Sequence, residues 1–403
     1  MIGKYQVSTS QNLFAIIVGI MTGYLSLKPV FGEAIVSTFE GNEASLDRIL
    51  RIASPLLVWL LIGRKNHICI KTVSIIVLTL GIVPLIAGTL FGKLEYFILS
   101  IAPLIISLLV IIAIALLSYN IFVMWLVGVC CSCCGFLVAG VAANGLESTE
   151  YFGRSRTLLG FTHPLSTGQA LLGVIILTYI LFSYSSKSTI KASLKRIISQ
   201  LAVVIITGSI WLLILADSRN TLIMVIIVIL TTLSSARLES DARFTQFSTF
   251  FGIIIFLYIL SFLKIYDTNI DTLSSERMSF FSNTMTSFFD YKFLLSLIIG
   301  VSNFKSQVYL SQGFAAIESV YLTFLLNYGL LSLLCLFWML VHVGRRVAIS
   351  QDNLALGCLC GVVVFFALDG LGITDSNLTN FILFAYPLRV AMIERNLSKD
   401  YEI

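Results

Sequence analysis

Residues 97–117 read FILSIAPLIISLLVIIAIALL and residues 121–142 read IFVMWLVGVCCSCCGFLVAGVA, with only SYN between them. Neither stretch contains a charged side chain. A helix needs about 20 apolar residues to cross roughly 30 Å of hydrocarbon, and each stretch is long enough to do so. These two stretches therefore predict a pair of transmembrane helices joined by a tight turn.

Similar stretches recur along most of the chain, which is 58% hydrophobic and 12% charged with a net charge of +5. That composition excludes a soluble globule and predicts an all-α polytopic membrane protein forming a single integral membrane domain over residues 1–403. We predict about twelve spans. They lie near residues 10–27, 46–63, 72–92, 97–117, 121–142, 166–185, 197–216, 220–235, 248–264, 318–341, 354–370 and 378–393.

Basic residues in the short connections predict the orientation, because Lys and Arg near span ends are retained in the cytoplasm. Alternating the spans puts one basic set on the cytoplasmic side: Arg64, Lys65, Lys71, Lys187, Lys191, Lys195, Arg196, Arg237, Arg243, Arg345, Arg346, Arg395 and Lys399. Both termini are then cytoplasmic, and the first span is predicted to be a retained helix. The external segments are 28–45, 143–165, 217–219, 265–317 and 371–377.

Four arginines fall in the predicted external segments: Arg154, Arg156, Arg219 and Arg277. A guanidinium is always charged, and its planar fork of donors fits phosphate oxygens. The set therefore indicates a site for a lipid-linked phosphate or pyrophosphate. The alternative for each arginine is an anchoring role at the level of the lipid headgroups.

The external loop 143–165 carries two of these arginines two residues apart. In an extended segment that spacing places Arg154 and Arg156 on one face, where they can clamp two oxygens of a pyrophosphate. His163 precedes Pro164 at a predicted turn and is a candidate for the same site. A single histidine in a turn more often has a structural hydrogen-bonding role.

The connection DSRN at 217–220 is short enough to predict a tight helical hairpin with Arg219 at its end. A charge costs much less at the end of a span than at its centre, so this position is tolerable. An ion pair between Asp217 and Arg219 is the structural alternative, and the following Asn220 and Thr221 suit a helix cap.

The longest hydrophilic interval, 265–317, contains Arg277 and then an aromatic pattern at three-to-four spacing that includes Phe281, Met285 and Phe288. This pattern predicts an amphipathic helix in the outer headgroup region. Such a helix would form a shelf for a long prenyl carrier, or simply cover the top of the helical bundle.

Three blocks carry a family resemblance: RSRTLLGFTHPLSTGQ at 154–169, LADSRNTLIMVIIVIL at 215–230 and IESVYLTFLLNYGLL at 317–331. Their order, with an arginine-bearing loop before the third, resembles the O-antigen polymerase and ligase superfamily, the bacterial Wzy-type and WaaL-type glycosyltransferases. The resemblance covers roughly residues 150–342. It implies a GT-C-like helical bundle in the bacterial inner membrane with its active site facing the periplasm.

Members of that superfamily transfer a glycan from undecaprenyl pyrophosphate to an acceptor sugar. The resemblance implies functional roles for Arg219 and Arg277, with Arg154 or Arg156 as further candidates. Ligases carry a histidine at the start of the span after the long loop, whereas this chain has Glu318, Ser319, Val320 and Tyr321 there. That difference favours a polymerase, and Tyr321 joins the predicted substrate-binding residues.

The expected chemistry follows from the leaving group. Negative charge builds up on the pyrophosphate as its bond to the anomeric carbon breaks, and preorganised guanidinium groups stabilise that charge without a metal ion or cofactor. Glu318 is the favoured general base for the acceptor hydroxyl, with Asp217 or His163 as alternatives. Direct displacement would invert the anomeric configuration.

Three other functions stay open: an O-antigen ligase that transfers glycan to lipid A-core, a twelve-span flippase or transporter, and a non-catalytic scaffold. Carriers usually bind their substrates near mid-membrane, whereas the charges here concentrate in external loops. The cysteine cluster 130–134 lies within an apolar span and is predicted to pack rather than to bind metal. The expected partners are the lipid-linked oligosaccharide, membrane lipid, a chain-length regulator and a flippase, and no nucleic-acid surface is expected.

Overall fold

The computed structural model describes residues 9–27, 54–62, 68–86, 94–146, 149–151, 154–159, 164–187, 192–262, 298, 319–368 and 378–393. Almost all of these residues are helical, and one short antiparallel hairpin interrupts the helices. Because hydrocarbon offers no hydrogen-bond partners, a chain this apolar must satisfy its backbone groups internally, which helices do.

The described ranges contain eleven α-helices, which we number in chain order. They are α1 (Thr9–Leu27), α2 (Ile70–Val77), α3 (Leu94–Leu116), α4 (Tyr119–Asn144), α5 (Pro164–Lys187), α6 (Ala192–Leu215), α7 (Arg219–Ser235), α8 (Ser240–Phe262), α9 (Val320–Ser350), α10 (Asn353–Leu368) and α11 (Leu378–Met392). The hairpin strands are β1 (Thr149–Tyr151) and β2 (Arg154–Arg156). A 3₁₀ helix covers Ser54–Leu61, and α2 continues into a π-helical turn at Leu78–Ile82.

The all-α membrane class predicted from composition is confirmed. Each predicted span except the second overlaps one of the α-helices, and the described part of the second contains the 3₁₀ helix. Within the described ranges, three helices are long and apolar enough to cross a membrane: Ser10–Leu27, Asn120–Ala143 and Phe324–Ser350. The count of twelve spans stays a prediction, because the apolar segments found within other helices of those ranges are 10–17 residues long.

The chain divides into two compact units. Unit 1 comprises residues 1–68, 109–226 and 376–389, and unit 2 comprises residues 69–108, 227–375 and 390–403. Helices α3, α7 and α11 each contribute residues to both units.

Unit 1 is organised by a close crossing of α1 and α4. A methyl group added at Gly128 would collide with the carbonyl of Ile16, and one added at Gly19 would collide with that of Trp125. One turn along, the Ser132 hydroxyl donates to the Ile20 carbonyl oxygen over 2.7 Å. Small residues at this spacing let two membrane helices approach closely enough for backbone contact.

A buried cation also stabilises unit 1. The side chain of Arg389 in α11 is 3% exposed, and its Nη1 donates to the carbonyl oxygen of Ile114 over 3.0 Å. The guanidinium lies 4.6 Å from the centroid of the Phe122 ring. The last carbonyls of a helix lack intrahelical donors and carry partial negative charge, so Arg389 caps α3 electrostatically.

Unit 2 packs α8, α9 and α10 together. Phe247 of α8 lies against Gly344 of α9, where no side chain larger than hydrogen would fit without a shift. Helix α9 bends within its span, because Gly329 has φ 82° and ψ 174°, a conformation that side chains other than glycine rarely adopt. The Ser332 hydroxyl donates to the Tyr328 carbonyl oxygen over 2.6 Å beside this break.

Candidate functional site

The β-hairpin carries the first pair of predicted arginines. Strands β1 and β2 pair antiparallel, with Arg156 opposite Thr149 and Arg154 opposite Tyr151. The extended conformation needed for Arg154 and Arg156 to share a face is therefore present. The structure describes the backbone of Arg154 and both the backbone and the side chain of Arg156.

The segment after β2 attaches the hairpin to two helices of unit 1. The Thr157 backbone N–H donates to the Leu215 carbonyl oxygen over 3.1 Å at the end of α6. The Leu158 carbonyl oxygen accepts from the Thr167 hydroxyl over 2.7 Å in the first turn of α5. Both threonines are buried, so these contacts hold β2 against the ends of the helices.

The turn between α6 and α7 has a defined geometry. The Ser218 N–H donates to the Leu213 carbonyl oxygen over 3.3 Å, and the Asp217 N–H donates to that of Ile214 over 3.1 Å. This pair of bonds is a Schellman motif, whose left-handed position is usually glycine. Asp217 occupies that position with φ 46°, which aspartate tolerates better than most residues. The predicted tight turn between the two helices is confirmed.

An ion pair joins these two elements. The Nε of Arg156 lies 3.5 Å from the Oδ2 of Asp217, and the two side chains are 17% and 23% exposed. The structure thus gives Asp217 a partner from outside the turn, because β2 docks beside the turn and brings the Arg156 guanidinium to the Asp217 carboxylate. The side chain of Arg219 lies outside the described residues, so its suggested pairing with Asp217 stays a prediction.

The first turns of α5 and α7 meet at the same place. Gly168 of α5 leaves no room for a methyl group, because an added Cβ would collide with the Ser218 hydroxyl and lie 2.6 Å from the Thr221 hydroxyl. Ser218 in turn donates to Thr221 over 3.0 Å. Two helix N-termini, each with a partial positive charge, are thus adjacent, and Arg156 is attached to the same turn through Asp217.

We call this arrangement the arginine corner: strand β2, the turn 216–218 and the first turns of α5 and α7. Helix N-termini combined with a guanidinium attract anions, phosphate in particular. Arg219 is the first residue of α7 and therefore belongs to the corner by its backbone position. Of the predicted site residues, the structure brings Arg154, Arg156, Asp217 and Arg219 into one region of unit 1.

The remaining predicted site residues are not in the corner or are not described. His163, Arg277, Glu318 and the predicted amphipathic helix lie outside the described residues. Tyr321 lies in the core of unit 2, where its hydroxyl donates to the Val363 carbonyl oxygen over 3.0 Å. Its ring also packs edge-on against Phe337 and Phe366. This geometry gives Tyr321 a structural role, and its predicted part in substrate binding stays a prediction.

Sequence reasoning missed the residues that assemble the corner: Gly168, Thr157, Thr167 and Ser218. Small polar residues at the start of an apolar helix are a weak signal, because they are equally common as caps. In the part of the chain that the structure describes, no three His, Cys, Asp or Glu side chains are grouped as a metal site would require.

Comparison with known proteins adds no relative. No family model matches the chain, no curated protein matches it, and no solved structure matches it.

Proposed function

We propose that this protein is a membrane glycosyltransferase that polymerises undecaprenyl-pyrophosphate-linked repeat units of O-antigen or a related polysaccharide. The observation that carries the proposal is the arginine corner, where Arg156 and the start of α7 at Arg219 meet beside two helix N-termini. A pyrophosphate is the ligand that this chemistry suits best, since it presents several anionic oxygens to fixed donors.

In this proposal the corner stabilises the leaving group. Charge on the pyrophosphate rises as the anomeric bond breaks, and the guanidinium groups of Arg219 and Arg277 would stabilise it together with the helix dipoles. Arg154 and Arg156 hold the diphosphate in place. Because Asp217 forms an ion pair with Arg156, we assign it to positioning that guanidinium and keep Glu318 as the general base.

The proposed reaction joins the reducing end of one lipid-linked glycan to the acceptor sugar of another. The acceptor hydroxyl attacks the anomeric carbon, its proton passes to the base, and undecaprenyl pyrophosphate leaves with the electron pair of the broken bond. Attack from the opposite face inverts the anomeric configuration. No metal ion or cofactor enters this scheme, because guanidinium groups and helix dipoles supply the positive charge.

We further propose a bacterial inner-membrane location, with about twelve spans in a GT-C-like bundle, cytoplasmic termini and a periplasmic site. Contacts within each unit support this topology, because segments that are predicted to lie on the same side of the membrane contact each other. In unit 2, the Cys69 N–H donates to the Met392 carbonyl oxygen over 2.7 Å, and Arg346 Nε donates to that of Ala391 over 3.3 Å. In unit 1, the external loop after β2 meets the turn after α6.

The decisive experiment is reconstitution of the purified protein in vesicles with undecaprenyl-pyrophosphate repeat units, without other proteins or added metal. The expected result is a ladder of longer lipid-linked glycans on a gel. A reaction that needs lipid A-core as acceptor and yields only single transfers would identify a ligase. Unchanged substrate after prolonged incubation with folded protein would contradict glycan transfer.

One observation favours a carrier as the second candidate. Helix α9 is broken at Gly329, and the neighbouring Asn327 is 3% exposed with its Oδ1 atom buried and unbonded among the described residues. Broken helices with polar groups inside a span are typical of secondary transporters. In the same vesicles, movement of lipid-linked oligosaccharide between leaflets without lengthening would favour that function.

A further inference from the structure

A second group of basic side chains lies in unit 2, and none of its members is used in the proposed reaction. His342 and Arg346 belong to α9, as does Arg345, and Lys71 belongs to the first turn of α2. Arg345 and Arg346 lie about one turn from His342 along α9, and Lys71 precedes Thr72 in the chain. The Thr72 hydroxyl lies 3.1 Å from the Nε2 of His342 and ties the two helices together.

These cations are not balanced by acids within the described residues. Lys71 and Arg345 are exposed, and neither has an ion pair or hydrogen bond there. Arg346 donates through Nε to the Ala391 carbonyl oxygen, a neutral acceptor. Three positive charges around one ring repel one another, so an anion between α2 and α9 would relieve that repulsion.

The outward stripe of α9 explains which anion fits. Its exposed side chains are apolar up to one point and basic beyond it: Leu331, Leu334, Trp338, Val341 and then Arg345. From Leu331 to Arg345 the helix rises about 21 Å at about 1.5 Å per residue, which exceeds the roughly 15 Å that one leaflet contributes to the hydrocarbon. An acyl chain lying along this stripe would therefore bring its headgroup level with Arg345.

We propose that the surface formed by Lys71, His342, Arg345 and Arg346 binds the phosphate of an anionic phospholipid whose acyl chain lies along α9. Apolar contact and charge complementarity act together here, as they do at basic sites between membrane helices. A free phosphate ion offers the same charge but no chain for the apolar stripe. The proposal is independent of the glycosyltransferase function.

The test is native mass spectrometry of the full-length protein released from micelles that contain equal amounts of phosphatidylglycerol and phosphatidylcholine. The wild-type protein should retain phosphatidylglycerol preferentially. In the double variant Lys71→Gln with Arg345→Gln, the ratio of retained phosphatidylglycerol to phosphatidylcholine should be roughly 30-fold lower. This is the effect of removing two charges at about 1 kcal/mol each. Both side chains are exposed, so the substitutions should not disturb folding.

A matched control is Arg237→Gln, since Arg237 is an exposed arginine of the same unit outside this surface. The control should keep the wild-type preference. Equal retention of the two lipids by wild-type protein, or a preference that survives in the double variant, would overturn the proposal. Displacement of phosphatidylglycerol by millimolar inorganic phosphate would also overturn it, because the ligand would then be a free anion.

Discussion

The arginine corner of unit 1 and the basic surface of unit 2 use the same residue type in different ways. In the corner, Arg156 forms an ion pair with Asp217, and backbone hydrogen bonds hold both the segment after its strand and the turn that carries Asp217. On the basic surface, Lys71 and Arg345 are exposed and have no acidic partner among the described residues. A held guanidinium suits a ligand of defined geometry, whereas exposed cations suit a ligand recognised mainly by charge.

The largest effect should come from replacing the guanidinium of a proposed catalytic arginine with the point charge of lysine. Arg219→Lys or Arg277→Lys should lower polymer synthesis roughly 100-fold to 1000-fold, since lysine lacks the bidentate donors that stabilise the leaving pyrophosphate. Membrane insertion should be unchanged. Rates of ladder formation in reconstituted vesicles measure the effect, and full-length polysaccharide from either variant would remove the catalytic assignment.

The next largest effect should come from a variant that disturbs the packing of the corner. Gly168→Ala puts a methyl group onto Ser218 and Thr221, which forces the first turns of α5 and α7 apart. Small displacements near a reacting centre cost up to about 100-fold, so synthesis should fall at least tenfold. Gly208→Ala is the control, because an added Cβ there meets nothing within 4 Å. Equal rates for the two variants would show that the corner does not need this packing.

A smaller effect should come from the ion pair itself. Arg156→Gln, Asp217→Asn and the double variant form a thermodynamic cycle, and asparagine keeps the left-handed position tolerable. Because the two side chains are 17% and 23% exposed, their coupling should lie at about 0.2–1 kcal/mol, up to roughly a fivefold effect on rate. Thermal unfolding and synthesis rates measure it, and additive single changes would mean that Asp217 does not position Arg156.

The smallest effect on synthesis should come from the basic surface. The double variant Lys71→Gln with Arg345→Gln should change the rate less than about twofold, since exposed charges that take no part in the proposed reaction contribute little. Initial rates at saturating lipid-linked substrate are the measurement. A loss as large as that of Arg219→Lys would abolish the contrast between the two regions and place both in one functional unit.

Sequence reasoning predicted the helices well and the site only in part. Apolar runs and short polar breaks were enough to locate most of the helices, because a span has few alternatives in hydrocarbon. Local pattern also predicted the extended pair Arg154 and Arg156 and the tight turn at Asp217. The break at Gly329 did not, since one glycine inside an apolar run has no distinctive local signal.

The partner of Asp217 shows where local reasoning ends. Arg219, two residues away, is the partner that local pattern suggests, and its side chain lies outside the described residues. The partner that the structure does describe, Arg156, belongs to a separate strand. That contact depends on Thr157 and Thr167, whose buried hydrogen bonds dock β2 onto α5 and α6. Hydrogen bonds between distant segments have no periodicity from which a single sequence can predict them.

This sequence by itself determined the environment of the protein: its apolar stretches require a bilayer, and its arginines require polar partners near the ends of the spans. Only the tertiary structure decided which of those ends meet. Gly168 touches Ser218 because the first turns of α5 and α7 pack closely. Arg156 lies beside Asp217 because strand β2 docks next to the turn. The physical reason is that hydrophobicity acts on each segment separately, whereas contact between segments depends on the shapes of both.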